Sequence, residues 1–225
     1  MKRIAVLVLI TVFGTSVFAQ KTATRKLEKF TAISASEGID VTLVKGSSYE
    51  AKITASGIEM EDVLTEVSGG RLKIHLDGGN HRNIDVNVEV TFVSLNEIKA
   101  SSAADIKSSS VIEADMLEID ASSAADIDLK IKVKELHVDA SSSADITLSG
   151  TADKQNVDIS SAADYKAFEL VSKEGDISAS SAADANVNVT ESLYASASSG
   201  ASVRYKGNPD KVKEHSSSGG DVEQY

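Results

Sequence analysis

The sequence predicts an all-β protein folded as a parallel, right-handed β-helix, a stack of two-strand repeats of about 19 residues behind a less regular β segment. Three observations predict this. A short string recurs at a near-constant step through the second half. Aliphatic residues flank each copy with a period of two. Nothing between the copies has the 3.6-residue period of a helix.

The string is Ala-Ser-Ser-Ala-Ala-Asp-Ile at Ala100–Ile106 and again at Ala121–Ile127, then Ala-Ser-Ser-Ser-Ala-Asp-Ile at Ala140–Ile146. Shorter copies follow at Ser160–Tyr165, Ser180–Ala185, Ser198–Val203 and Ser217–Val222. The anchoring positions are Asp105, Asp126, Asp145, Asp164, Asp184, Ser202 and Asp221, separated by 21, 19, 19, 20, 18 and 19 residues. Low-complexity disorder would not hold such a period or interleave it with aliphatics.

Seven residues before the aspartate stand Ile98, Ile119, Val138, Val157 and Ile177. One residue after the anchoring position stand Ile106, Ile127, Ile146, Tyr165, Ala185, Val203 and Val222. Leu117 and Leu136 lie two before the first set, and Leu129, Leu148 and Val187 two after the second. A unit therefore reads as a short strand, a Ser/Ala-rich corner and a second short strand, with one apolar face. A run of hairpins is the competing arrangement. Hairpins favour Asn-Gly or Asp-Gly turns, which the repeat lacks, and residues recurring once per turn favour parallel stacking.

The first half also alternates: Ile39–Leu43, Ala51–Thr54, Leu72–Leu76 and Ile84–Val90, with Gly38, Gly46, Gly69-Gly70 and Gly78-Gly79 marking turns. Ile58–Val67 reads as a short turn leading into a strand. No composition break separates the halves. The expected organisation is a signal peptide at 1–19 and one domain at 20–225, with irregular turns over 30–95 and regular repeats over 96–222.

The signal peptide is read from Lys2-Arg3, the apolar run Ile4–Phe13 and the small residue ending Val17-Phe18-Ala19. The apolar run is short for a membrane span, so cleavage before Gln20 and no span in the mature chain are expected. The expected location is secreted, periplasmic or cell-surface. There is no cysteine, which excludes a disulfide, a thiolate metal site and a cysteine-linked lipid. Losing Lys2 and Arg3 takes the formal net charge from −11 to −13. A charge of that sign argues against nucleic acid and anionic membrane surfaces as partners, because both need a basic face.

Phe30-x-x-Ile33, Gly38-Ile39-Asp40-Val41-x-Leu43, Gly69-Gly70-x-Leu72-x-Ile74, the serial Ser-Ser-Ala-Ala-Asp units and Tyr205-x-Gly207-Asn208-Pro209 occur in that order. In this the chain resembles the auto-transporter adhesin head domain, or GIN domain, of secreted Bacteroidetes-type proteins, from about residue 30 onward. Asp40 stands where that family's naming tripeptide has Asn. The resemblance implies a β-helical fold and a surface or periplasmic role. It implies no catalytic residue.

The candidate binding residues are the aspartates Asp105, Asp126, Asp145, Asp164 and Asp184. In a parallel stack they lie about 4.8 Å apart. Unit charges about 5 Å apart repel by roughly 0.8 kcal/mol in water, so the ladder must be solvated, capped or bridged. Capping of each corner by its own aspartate, in an Asx-turn, is the expected role. Calcium bridging is the first alternative, weakened by the missing Gly-Gly-x-Gly-x-Asp pattern, and a catalytic role is the second. The paired corner serines are expected to satisfy corner backbone groups, or else to present a polar array to a glycan or a flat surface. Asp120, Asp139 and Asp158 with Glu118 read as a solvated outer face.

No serine has a base at repeat spacing, and His75, His81, His137 and His215 are scattered. The expectation is no catalytic residue, no metal and no cofactor. The expected function is a secreted, non-catalytic, adhesin-like interaction module for glycan or a cell-envelope component. The alternatives are a carbohydrate-active β-helix enzyme, which needs a clustered acid pair, or calcium with a basic residue, and long loops for which the short rungs leave little room, and a purely structural scaffold. A homo-oligomer through exposed end strands is left open.

Overall fold

The computed structural model describes residues 20–79 and 81–225. The expected signal peptide lies outside them. The strands are β1 (Lys21–Lys26), β2 (Ala32–Ala35), β3 (Asp40–Lys45), β4 (Glu50–Ser56), β5 (Val63–Ser68), β6 (Arg71–Leu76), β7 (Asp85–Phe92), β8 (Glu97–Ala100) and β9 (Asp105–Ser108). They continue as β10 (Ile112–Ala121), β11 (Asp126–Ala140), β12 (Asp145–Ile159), β13 (Asp164–Ala179), β14 (Asp184–Ser198), β15 (Ser202–Lys206), β16 (Lys211–Ser217) and β17 (Asp221–Gln224). Among the described residues the one helical element is a 3-10 turn, Met60–Asp62, leading into β5 as the sequence suggests.

From β8 onward the chain climbs a parallel stack of seven turns. Ile127 pairs with Ile106 below and Ile146 above, and Val138 with Ile119 and Val157. Each turn is a flattened sandwich of two faces. The column Ile106, Ile127, Ile146, Tyr165, Ala185 and Val203 is fully buried, and Val222 packs on its end partly buried. The two faces meet at two unlike corners. One is the Ser-Ser-Ala-Ala segment. The other is a bend inside a continuous strand, so β11 to β14 each run 15 or 16 residues across it. The pair of short strands read per repeat is thus one long strand, bent between one unit and the next.

The serine corner is a turn with two successive left-handed residues: Ser123 and Ala124 have φ of 56° and 58°, and the other regular corners repeat this pair. The Ala125 amide donates to the Ser122 carbonyl (3.3 Å), which makes it a type I′ turn in Ser-Ala rather than Asn-Gly. An L-residue in this region costs about 1–2 kcal/mol. Backbone pairing along the stack offsets it. The Ala124 amide donates to the Ser142 carbonyl, and the Ser122 amide to the Ala100 carbonyl, each at 3.0 Å.

The N-terminal segment does not stack in chain order. β2 lies between β6 and β8, and β3 between β7 and β9, all parallel. Residues 32–45 thus form a full turn, wedged between two turns that come later in the sequence. Antiparallel strands close this end: β5 on β6, and β4 on β7 with β1 beyond. Arg25 of β1 reaches across the sandwich to the carbonyls of Val63 (2.6 Å) and Met60 (2.8 Å).

At the other end β16 and β17 have no outer neighbour among the described residues. The inward positions of β16 are Val212, Glu214 and Ser216, over Leu193, Ala195 and Ala197. The face over Ala195 and Ala197 therefore turns polar in its last turn, and Tyr205 Oη donates to Glu214 at 2.9 Å. A terminal repeat with a polar, charged face keeps a solenoid end from adding further strands.

Candidate functional site

The register brings the predicted aspartates into one ladder. Asp105, Asp126, Asp145, Asp164 and Asp184 are direct neighbours in successive turns. The ladder also takes in Asp40, which pairs with Asp105 because of the out-of-order turn. Its carboxylates do not cap the corners, contrary to the sequence reading. The corner amides of Ser122, Ala124, Ala125 and Asp126, and their equivalents in the other regular corners, are already taken by carbonyls of the same and neighbouring turns. Among the described residues, no backbone amide donates to these aspartates. Lysines two residues along the strands meet them instead: Lys107 with Asp105 at 2.7 Å, and Lys166 with Asp145 and Asp164 at 3.1 and 3.5 Å. The serine hydroxyls of the five regular corners likewise make no hydrogen bond within the described protein, so they do not satisfy the corner backbone.

Asp126 has no lysine of its own. Partial burial and the charges of Asp145 and Asp105 push its carboxyl above the ordinary carboxylate range, against the pull of Lys166 and Lys107. Burial and Asp105 do the same to Asp40. On the other face, burial and Asp158 raise Asp139. Among the described residues no three His, Asp or Glu side chains converge on a point where a metal ion would sit.

A raised carboxyl binds its proton more tightly in the folded state. Its ionisation therefore costs stability as pH rises through the unfolded and then the folded value. Asp126→Asn should raise the melting temperature at pH 7 and leave it unchanged at pH 3, where both states carry the proton. Millimolar calcium and EDTA should give wild-type melting temperatures within about two degrees at matched ionic strength, since an ion bound only to the folded state would shift them further. A calcium-specific rise lost in Asp126→Asn/Asp145→Asn would reinstate the bridged ladder.

The feature missing from the sequence reading is a groove along the bend corner, about 750 Å³ in volume and spanning five turns. Its floor is the stacked column Ala114, Val133 and Ala152, followed by Ser172. These side chains are small, and the corner sinks between its walls. One wall carries Asp115, Lys134, Asp153, Lys173 and Glu191, alternating in sign from turn to turn. Lys134 pairs with Asp115 and Lys173 with Asp153, both at 2.7 Å. The opposite wall runs from Glu113 and Lys132 to the uncharged Thr151, Val171 and Thr190. A second depression of about 440 Å³ continues the groove past Met116 and Leu95 and shares Glu113, Ala114 and Asp115 with it.

A buried polar chain fixes the floor. Tyr165 Oη donates to Gln155 Oε1 (3.0 Å), Gln155 Nε2 to Ser172 Oγ (2.7 Å), and Ser172 Oγ to the Asn188 carbonyl (3.2 Å). Gln155 and Ser172 are essentially solvent-free, and every polar atom of this chain has a partner. Burial pushes the Tyr165 hydroxyl far up, so it remains a neutral donor. Sequence patterning placed Tyr165 inside the stack but gave no signal for Gln155.

No helix of the described residues is long and apolar enough to cross a membrane. The fold closely matches solved structures. A putative adhesin from Bacteroides fragilis superposes with a TM-score of 0.85 at 19% identity, over 92% of this chain and 97% of that one. A putative adhesin from Parabacteroides merdae gives 0.76 at 22%, over 92% and 96%. A protein from Parabacteroides distasonis described as a putative lipid binding protein gives 0.71 at 18%, over 92% and 96%. At such identities the likeness is one of fold, and the differing descriptions show that the fold alone does not choose a ligand. No curated protein matches the chain. The family model described as "Putative auto-transporter adhesin, head GIN domain" matches residues 29–209, four fifths of the sequence, and the chain belongs to that family.

Proposed function

We propose that this protein is an exported, non-catalytic, adhesin-like module, secreted or held at the cell surface, that binds an uncharged extended glycan along the bend-corner groove. The observation that carries this reading is the charge pattern of the groove wall. The molecule is strongly acidic, yet Asp115, Lys134, Asp153 and Lys173 cancel in pairs. Exposed ion pairs of this kind add little to stability. They do give the wall many hydrogen-bonding groups and a net charge near zero, with Glu191 of the last turn alone in excess. A neutral polymer rich in hydroxyls suits such a wall, and the small apolar floor suits the edges of its rings. The straight run over five turns suits a chain rather than a compact ligand.

Binding without turnover is the expected outcome on a glycan array. Thr151→Trp, on the exposed uncharged wall, should weaken the best array glycan at least about tenfold, or 1.4 kcal/mol. Release of product from the bound glycan, abolished by changing one acidic residue, would make the protein an enzyme instead. The aspartate ladder is a second contact face, favoured by the unpartnered corner serines beside it. Loss of binding in Asp126→Asn/Asp145→Asn, with Thr151→Trp unaffected, would move the site there.

A further inference from the structure

The ladder between β12, β13 and β14 slips at one place. Thr147 pairs with Lys166, but Ser149 pairs with Glu169. On the next strand Ala167 pairs with Val187, while Val171 pairs with Asn188. Residues 168–170 thus have no counterpart in β14, and β13 gains one residue on β12 between Lys166 and Glu169; this bulge carries Phe168 and Glu169. Bulges re-aim side chains, and here an aromatic ring and an acid meet three partners from later turns. Tyr225 stacks on Phe168 with ring centroids 5.1 Å apart and planes tilted by 37°. Lys206 lies 5.4 Å from the Phe168 centroid and 3.1 Å from Glu169. Asn188 donates to the Phe168 carbonyl at 3.3 Å.

Tyr225 is anchored by its amide to the Tyr205 carbonyl at 2.8 Å, yet 81% of the residue remains exposed. No other large hydrophobic side chain of the described residues is exposed to that extent. The cluster adjoins the groove, since Asn188 pairs with the wall residue Val171. From these contacts we infer that Phe168 and Tyr225 form a ring-stacking subsite for one sugar of the glycan, at the C-terminal end of the groove. A pyranose ring presents a C–H face that lies flat on an aromatic ring. Its edge hydroxyls then face an ammonium, a carboxylate and an amide, here Lys206, Glu169 and Asn188. Aromatic faces with a few convergent polar groups are the usual makeup of such sites.

The subsite rests on the glycan reading of the groove, and the test separates the two. The probe is the strongest-binding glycan from an array of plant, microbial and host polysaccharides, titrated by calorimetry. Tyr225→Ala should weaken it at least about tenfold, Tyr225→Phe should retain it, and neither should move the melting temperature by more than about two degrees. Phe168→Ala should match Tyr225→Ala; should it fail to fold, the exposed Tyr225 carries the test alone. Binding lost in Thr151→Trp but kept in Tyr225→Ala overturns the subsite and leaves the groove. Kept binding with a lowered melting temperature in Tyr225→Ala means that the pair is only a latch on the last turn. An array with no bound glycan overturns subsite and groove together.

Discussion

Gly150→Ala is expected to be among the most damaging single substitutions in this molecule. Gly150 sits in β12 at the bend, with φ of +114°, and an added Cβ would lie 2.0 Å from the Ile131 carbonyl oxygen of the turn below. That neighbour is backbone held in the parallel ladder, because Gly150 pairs with Ile131 on one side and Leu170 on the other. Relief would require separating two turns of the stack. A loss of about 4 kcal/mol or more is expected, in the range reserved for broken backbone geometry. Gly69→Ala is the control. Gly69 has φ of +58° with nothing near its missing Cβ, and Ala124 occupies the same backbone conformation elsewhere in the chain. It should cost about 1–2 kcal/mol. Equal midpoints in urea would show that the stack has room at the bend.

The second large effect belongs to the apolar column. Ile127 is buried between Ile106 and Ile146, in the strand that enters from the serine corner. Ile127→Ala removes three carbons from a site whose walls are ladder-bound strands with little freedom to close. It should cost about 2–5 kcal/mol. Asp120→Ala, on the outer face of the same turns, removes a side chain that meets only Lys99 at 3.4 Å. Its cost should stay within about 0.5 kcal/mol. Equal losses in denaturant melts would reverse the inward and outward assignment.

The features legible in the sequence are those that repeat. Ile127 and its equivalents betray the register because one position recurs in every turn at nearly constant spacing, and the same spacing aligns Asp105 to Asp184. The corners were located but misread. Ser-Ala in two left-handed positions is unusual chemistry for a tight turn, and only stacking against identical turns makes it tenable. Asp40 joins the ladder through a pairing between distant segments, which local pattern does not show. Gln155 is a single polar residue at an inward position, and its partners Tyr165 and Ser172 lie in the next turn. The groove lies at the corner without a string. Its signal was nonetheless present, since Asp115, Lys134, Asp153 and Lys173 alternate in sign at the repeat spacing.

The wedged turn of β2 and β3 bears on the order in which the molecule can assemble. A chain that emerges N-terminus first presents residues 32–45 early, yet their neighbours on one side are residues 71–92 and on the other residues 97–108. That first rung has no stacked neighbour before residue 71, and it is covered on both sides only when residue 108 has arrived. The loop closures it needs are entropically costly and must precede any gain from burial. Every turn after β8 and β9 docks on its immediate predecessor as soon as it is made. Nucleation therefore falls on the middle of the chain, where β8 to β11 can pair locally, and the N-terminal third adds afterwards as a late-fitting plug.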